Sequence, residues 1–228
     1  MSPPVPNGFF VTGTDTGVGK TVVACALVRQ LADRGVDVGA MKPIETGVGD
    51  EGPLDARALQ AAAGGVDTLD DVCPQRFALP AAPTVAAAAE GRQVEVWAIR
   101  RAYELLSARH DCVVVEGAGG LLVPASEEHS MADLARELEL PLLVVARATL
   151  GTINHTLLTL EAAVARGLSV AGVVISHSAG ALSGADEANL AALRRALGGS
   201  LVGELPPFKD GDEPPPGAID LDALLEAS

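Results

Sequence analysis

Apolar runs that close on glycine or a polar residue alternate with helix-like segments along most of the chain, and this alternation predicts a parallel α/β sheet. Runs at 9–12, 36–41, 112–115, 142–146, 170–175 and 200–205 predict six strands. Segments at 20–34, 55–63, 94–109, 131–138, 152–166 and 186–197 predict helices, with a short last one at 221–225. Most of the strands lack a polar face, so helices must cover both sides of the sheet. The expectation is a doubly wound, mostly parallel α/β fold in a single domain, 1–228. Between 63 and 94 Pro74, Pro80 and Pro83 interrupt the pattern and predict a loop-rich excursion. The proline-rich stretch 206–217 cannot continue a strand and is expected to wrap the surface as a loop.

Composition sharpens this reading. The chain is 48% hydrophobic but only 3% aromatic, so its core must be built from Ala, Val, Leu and Ile, and disorder is excluded. A formal net charge of −14 repels phosphate backbones and anionic lipid, which argues against nucleic-acid or membrane-surface binding. Cys25, Cys73 and Cys112 are odd in number and form no CxxC pair, and the N-terminal segment is neither basic nor long and apolar. Reduced thiols and a cytoplasmic protein are expected. His110, His129, His155 and His177 show no metal-ligand spacing, and Trp97 and Tyr103, on one helix, read as packing residues.

The strongest chemical signal is Gly13-Thr14-Asp15-Thr16-Gly17-Val18-Gly19-Lys20-Thr21, between a strand and a helix. Glycines there let backbone N–H groups cup phosphate oxygens at a helix N-terminus, while a lysine neutralises the outer phosphates and a threonine hydroxyl reaches Mg²⁺. The strict pattern G-x-x-x-x-G-K-[ST] would put glycine at 14; Thr14 stands there and Gly13 one residue further out, so the loop is one residue longer. Thr16, Gly17, Val18, Gly19, Lys20, Thr21 and Val22 are therefore expected to line a nucleoside triphosphate. Lys42-Pro43 follows the second strand, where residues face the ligand crevice of an open parallel sheet, so Lys42 should join Lys20 at the phosphates as a catalytic pair.

Glu116-Gly117-Ala118-Gly119-Gly120 ends an apolar strand with one carboxylate and a glycine run, a place where phosphate-loop proteins hold Mg²⁺. Asp55 opens the next helix after the lysine loop and has two readings: an N-cap, or, if it turns into the crevice, a third Mg²⁺ oxygen donor with Thr21 and Glu116. Gly151-Thr152-Ile153-Asn154 starts a helix at a strand end, either as an ordinary cap or as free N–H groups for a carboxylate.

These residues, with Thr46-Gly47, Leu150 to His155 and Gly203-Glu204-Leu205-Pro206, occur in the order and at the intervals of one family, and the chain resembles the dethiobiotin synthetases over nearly its whole length. The resemblance implies an ATP- and Mg²⁺-dependent ligase that joins 7,8-diaminononanoate and CO₂ into a ureido ring, through a carbamate and a carbamic-phosphoric anhydride. It further implies that Lys20 and Lys42 stabilise the transferring phosphoryl and that Thr46 contacts the diamine. By the same resemblance Thr21, Asp55 and Glu116 are expected to hold the metal, and the nucleotide to meet Gly117, Ala118 and Gly119 as well. A homodimer is implied in which the substrate carboxylate meets the partner's helix start, here Gly151, Thr152, Ile153 and Asn154. The base is expected near Ser176, His177, Pro206, Pro207 and Phe208. Many relatives place an Asn where Ser176-His177-Ser178 stands, so weaker base discrimination and use of other nucleoside triphosphates are expected. Gly17 replaces an acidic residue of some relatives, which only loosens the loop. A ParA-like nucleotide switch and a related ligase with another substrate are the rival readings.

Overall fold

The computed structural model describes residues 5–178, 182–207 and 215–227. In chain order the elements are β1 (Gly8–Gly13), α1 (Lys20–Asp33), β2 (Val38–Met41), β3 (Ile44–Thr46), α2 (Leu54–Ala62), α3 (Leu69–Val72), β4 (Gln75–Phe77), α4 (Pro83–Ala89) and α5 (Val96–Ser107). They continue with β5 (Cys112–Gly120), α6 (Met131–Glu137), β6 (Leu142–Arg147), α7 (Thr152–Ala165), β7 (Val170–Ser176), α8 (Gly184–Leu197), β8 (Leu201–Leu205) and α9 (Leu221–Glu226). Six strands form one parallel sheet in the order β2-β5-β1-β6-β7-β8. From β1 the chain turns one way to β2 and β5, then crosses to β6 on the other side. The connections therefore diverge at the C-terminal end of β1, where an open parallel sheet forms its ligand crevice.

Alternation along the strands feeds two cores. Phe10, Val113, Val115, Leu142, Val144, Val173 and Ile175 face α5, α6 and α8, whereas Phe9, Val11, Val114, Leu143, Val145 and Val174 face α1 and α9. Phe9 and Phe10 are neighbours that bury on opposite faces, each contributing about 3 kcal/mol by burial. This two-sided covering is the doubly wound arrangement expected from the apolar strands.

The details depart from expectation in four places. The second strand starts at Val38, because Gly35 ends α1 in the left-handed region (φ 83°) and residues 36–37 complete that turn. The third core strand runs five residues past Val115 to Gly120, because β1 extends alongside it to pair Gly13 with Gly120. The excursion expected to be loop-rich carries α3, β4 and α4, and β4 pairs in parallel with β3 as a small second sheet. These elements span only three to seven residues, too short for periodicity to reveal, and Pro83 starts α4 at its first turn instead of breaking it. Trp97 does not pack: it is 64% exposed, while Tyr103 on the same helix is half-buried against the core. Among the described residues no helix is long and apolar enough to cross a membrane. Cys25, Cys73 and Cys112 are free and buried, and burial pushes each thiol up to about 12.

A charged clasp closes the end of the sheet remote from the crevice. His110 Nδ1 lies 2.7 Å from Asp37 Oδ1 and its Nε2 lies 2.9 Å from Asp67 Oδ2, while Arg109 Nη1 also donates to Asp67. Gly39 makes room for the ring, since a Cβ there would stand 2.6 Å from His110 Cδ2. A neutral imidazole has one N–H, so only the imidazolium donates to both carboxylates. Burial pulls the ring down, but the two carboxylates outweigh it and hold it above the ordinary histidine range. With the folded value raised, the stabilisation is complete below the unfolded histidine value and is lost as pH rises through the folded one. The melting temperature should therefore fall across that window in the native protein, and His110→Gln should remove this component. An identical pH slope in the variant, followed by thermal melts, would refute the clasp.

Candidate active site

The phosphate loop leaves β1 and enters α1 as the sequence spacing requires. Gly17 (φ 72°) and Gly19 (φ 91°) take left-handed conformations, and Gly19 is the N-cap of α1 without any side-chain cap. The first-turn N–H groups of α1 are thus left facing the crevice. Lys20 is the first helical residue, 7% exposed, with Nζ donating to the Asp15 carbonyl at 3.0 Å. Burial holds its ammonium below the usual lysine range, against the pull of Glu116.

Lys42 stands at the end of β2, fully enclosed between two carboxylates. Its Nζ donates to Glu116 Oε1 at 2.5 Å and to Asp55 Oδ2 at 2.8 Å. Burial alone would lower this lysine, but Glu116 and Asp55 outweigh it and hold it well above the ordinary range, so it stays charged. Glu116 is 1% exposed on β5. Its Oε1 also accepts the Thr21 hydroxyl at 3.0 Å, and its Oε2 is buried without a partner. Burial pushes the Glu116 carboxyl up, with Lys42 working against it. Burial acts the same way on Asp55, but there Lys42 prevails and holds it below the usual carboxylate range.

Asp55 is not the cap of α2. The N-cap position is Pro53, and Glu45, reaching over from β3, takes the backbone N–H groups of Asp55 and Ala56. The Asp55 carboxylate is thereby left to meet Lys42. Thr21, Asp55 and Glu116 offer a donor set of one hydroxyl and two carboxylates on the same cleft, and Glu116 Oε2 is a buried oxygen with no partner. That set suits Mg²⁺, which takes one or two carboxylates and completes its shell with phosphate and water. Among the described residues no group of three or more His, Cys, Asp or Glu side chains converges on a metal position.

These side chains open on a cleft of about 900 Å³ lined by Thr16, Gly17, Gly19, Lys20, Thr21, Val22, Lys42, Thr46, Asp55, Glu116, Ala118 and Gly119. The structure brings all twelve together. It adds Glu45, Ser178 and the Pro80 to Pro83 turn, none of which local spacing singles out. Ser178 donates to the Gly17 carbonyl at 3.3 Å and so ties the end of β7 to the phosphate loop. Beside the cleft lies a second cavity of about 470 Å³, mostly apolar, which shares Thr16 and Val123 with it and reaches Leu122, His155 and Leu158.

Other expected residues lie elsewhere. Val18 is buried, and Gly117 lies under the Phe10 ring, 2.9 Å from where a Cβ would be, so neither lines the cleft. Ser176 is fully buried and its hydroxyl has no partner, while His177 is held by Glu204 at 2.6 Å, itself gripped by Arg194. Neither side chain lines this cleft. Pro206 and Pro207 are exposed just past β8, and Phe208 lies outside the described residues. Gly151 caps α7 in the left-handed region (φ 90°) without a side-chain bond, and Gly151, Thr152, Ile153 and Asn154 stand apart from the cleft of their own chain.

Residues 7–214 match a family model described as an AAA domain. The chain is 55% identical over 172 residues to the ATP-dependent dethiobiotin synthetase BioD of Anaeromyxobacter dehalogenans (strain 2CP-C), covering 75% of this chain and 77% of that one. It is 43% identical over 211 residues to the protein of the same name from Aromatoleum aromaticum, covering 91% and 93%. Among solved structures, a ParA family ATPase from Chlorobium tepidum superposes with a TM-score of 0.54 at 14% identity, covering 97% of this chain and 90% of that one. The cell division protein FtsY of Thermotoga maritima gives 0.54 at 18%, covering 99% and 69%. At such identities these two structures share the fold alone. The long, high-identity matches decide the family: the chain belongs to the ATP-dependent dethiobiotin synthetases and is an ATP-dependent ligase.

Proposed function

We propose that the protein carboxylates 7,8-diaminononanoate with CO₂ and closes the ureido ring of dethiobiotin, converting ATP to ADP and phosphate with Mg²⁺. One amine adds to CO₂ to give a carbamate and a proton. A carbamate oxygen attacks the γ-phosphorus as ADP leaves, giving the mixed anhydride. The second amine then attacks the anhydride carbon, phosphate departs and the remaining proton goes to solvent. The observation that carries this reading is Lys42, a permanently charged lysine held by Glu116 and Asp55 at the cleft that Lys20 also lines.

The carbamate is already a nucleophile, so the protein has to position and to stabilise charge, with no protein base required. Lys20 and Lys42 would stabilise the transferring phosphoryl, Thr46 would meet the diamine end, and Thr21, Asp55 and Glu116 would hold Mg²⁺. When bound, that ion would neutralise charge on the phosphates. The substrate's alkyl chain suits the apolar second cavity. Its carboxylate would reach the uncapped start of α7 on a partner copy, where the helix dipole favours an anion. A homodimer along α7 is supported by exposed Leu150 (74%), Leu157 (39%) and Leu158 (54%) at and along that helix, with Leu122 (49%) on the same cavity as Leu158.

The test is phosphate release from MgATP and bicarbonate with and without the diamine. Diamine-dependent release matched one-to-one by dethiobiotin is expected; diamine-independent hydrolysis stimulated by DNA would favour a ParA-like switch and refute the ligase reading for this substrate. Base choice is a separate expectation. The base would lie where β7 and β8 end, near Ser176, His177, Pro206 and Pro207. With the Ser176 hydroxyl buried and the His177 ring engaged by Glu204, neither side chain offers a base edge the matched donor and acceptor of an amide. The KM values for ATP and CTP should accordingly differ by less than about tenfold. Steady-state kinetics with each nucleotide checks this, and a strong ATP preference would mean that other contacts read the base.

A further inference from the structure

Glu45 presents a problem that its own surroundings solve. It is 7% exposed in the middle of β3, and Lys42, the nearby ammonium, is committed to Asp55 and Glu116. An ionised carboxylate in such a place needs donors. They come from the first turn of α2: Asp55 N donates to Glu45 Oε1 at 3.1 Å and Ala56 N donates to Glu45 Oε2 at 2.9 Å. This helix begins after Pro53, which has no side-chain acceptor, so its orphan N–H groups depend on a residue from another element. The contact also places the carboxylate at the positive end of the helix, where the backbone N–H groups of Ala56 and Asp55 oppose the upward push of burial on this carboxyl.

One of the two donors is the backbone of Asp55 itself. The Asp55 side chain is 43% exposed and is held at its tip by Lys42 Nζ at 2.8 Å, so whether it meets that ammonium depends on where its Cα and the start of α2 are placed. We infer that Glu45 is a positioning residue: by clamping the first turn of α2 it sets the Asp55 carboxylate across Lys42 from Glu116, and so governs how tightly the site holds Mg²⁺ with the nucleotide. Glu45 touches none of the reacting atoms in this scheme. The inference rests on the reading of Asp55 as part of the metal shell.

The experiment measures ADP binding by calorimetry along a Mg²⁺ series, with folding checked by melting temperature, for Glu45→Ala, Glu45→Gln and Asp55→Asn. Glutamine keeps one acceptor oxygen but turns an NH₂ against a backbone N–H, so it is the milder change and remains informative if alanine fails to fold. ADP binding without Mg²⁺ should stay within about twofold of native, while the Mg²⁺ concentration for half-maximal tightening should rise about tenfold in Glu45→Ala and less in Glu45→Gln, the size expected when a supporting partner of a metal ligand is lost. Asp55→Asn should shift it in the same direction, and Glu45→Gln/Asp55→Asn should go no further than Asp55→Asn alone. A folded Glu45 variant with native Mg²⁺ dependence, where Asp55→Asn shifts it, overturns the positioning role. Equal loss of binding with and without Mg²⁺ reduces Glu45 to a structural cap and also overturns it. If Asp55→Asn itself leaves the Mg²⁺ dependence unchanged, the metal-shell reading falls and takes the inference with it.

Discussion

Lys42→Ala should lower the rate of phosphoryl transfer by a factor on the order of 10² to 10³, with a much smaller change in the KM for nucleotide. The Lys42 ammonium is enclosed, held charged by Glu116 and Asp55, and lies at the cleft shared with Lys20. In phosphoryl transfer negative charge spreads over the equatorial oxygens as the bond to the leaving group opens, so a fixed cation already in place strengthens its interaction just then. Loss of one such donor costs about 2.7–4 kcal/mol of barrier. Lys42→Met, which keeps most of the apolar stem, should behave alike and separates charge from packing. Acid-quench single-turnover measurement of ADP formation is the check. A native rate in a folded variant would take Lys42 out of catalysis.

The second large effect is expected at Glu116. Glu116→Gln leaves the shape but removes the charge that faces Lys42 at 2.5 Å and accepts from Thr21. Breaking a buried ion pair on one side strands the other ion; Lys42 keeps Asp55, so the low end of the usual cost applies, about 3 kcal/mol. For a chain of this size that is a fall in melting temperature of roughly 6–12 °C. Activity should drop about a hundredfold, and the Mg²⁺ requirement should rise, because the proposed metal shell loses a carboxylate. Thermal melts and a Mg²⁺ titration of turnover read the two effects separately. Native stability together with native Mg²⁺ dependence would show that Glu116 neither balances Lys42 nor serves the metal.

Legibility followed the range of the interactions involved. The phosphate loop is contiguous, and its glycines state their own backbone requirement, so Gly17, Gly19, Lys20 and Thr21 could be placed from the chain alone. Lys42 and Glu116 were readable because each follows an apolar run, and strand ends in a parallel sheet converge on one crevice. Glu45 was not, because it caps a helix that begins nine positions later in the chain and belongs to a different element, an association no local spacing encodes. The small sheet of β3 and β4 was hidden likewise, since three-residue strands have no period to detect and acquire their pairing only in place. Ser176 and His177 stand at the expected strand end, but their surroundings could not be read from spacing: burial encloses the Ser176 hydroxyl, and Glu204, paired with Arg194, holds the His177 ring.

What the sequence by itself determined is the doubly wound sheet, the phosphate loop and the identity of the two lysines and two carboxylates at its mouth. Apolar periodicity and glycine placement act over a few residues, so they survive in a linear text. Only the tertiary structure decided that Lys42 bridges Glu116 and Asp55, that Glu45 holds α2, that His110 clasps Asp37 and Asp67, and that the start of α7 stands away from its own cleft. The first three depend on charges and backbone donors from distant segments meeting within 3 Å or so, the fourth on where the sheet carries α7, and burial, which sets what such a contact is worth, does not exist until the chain has folded.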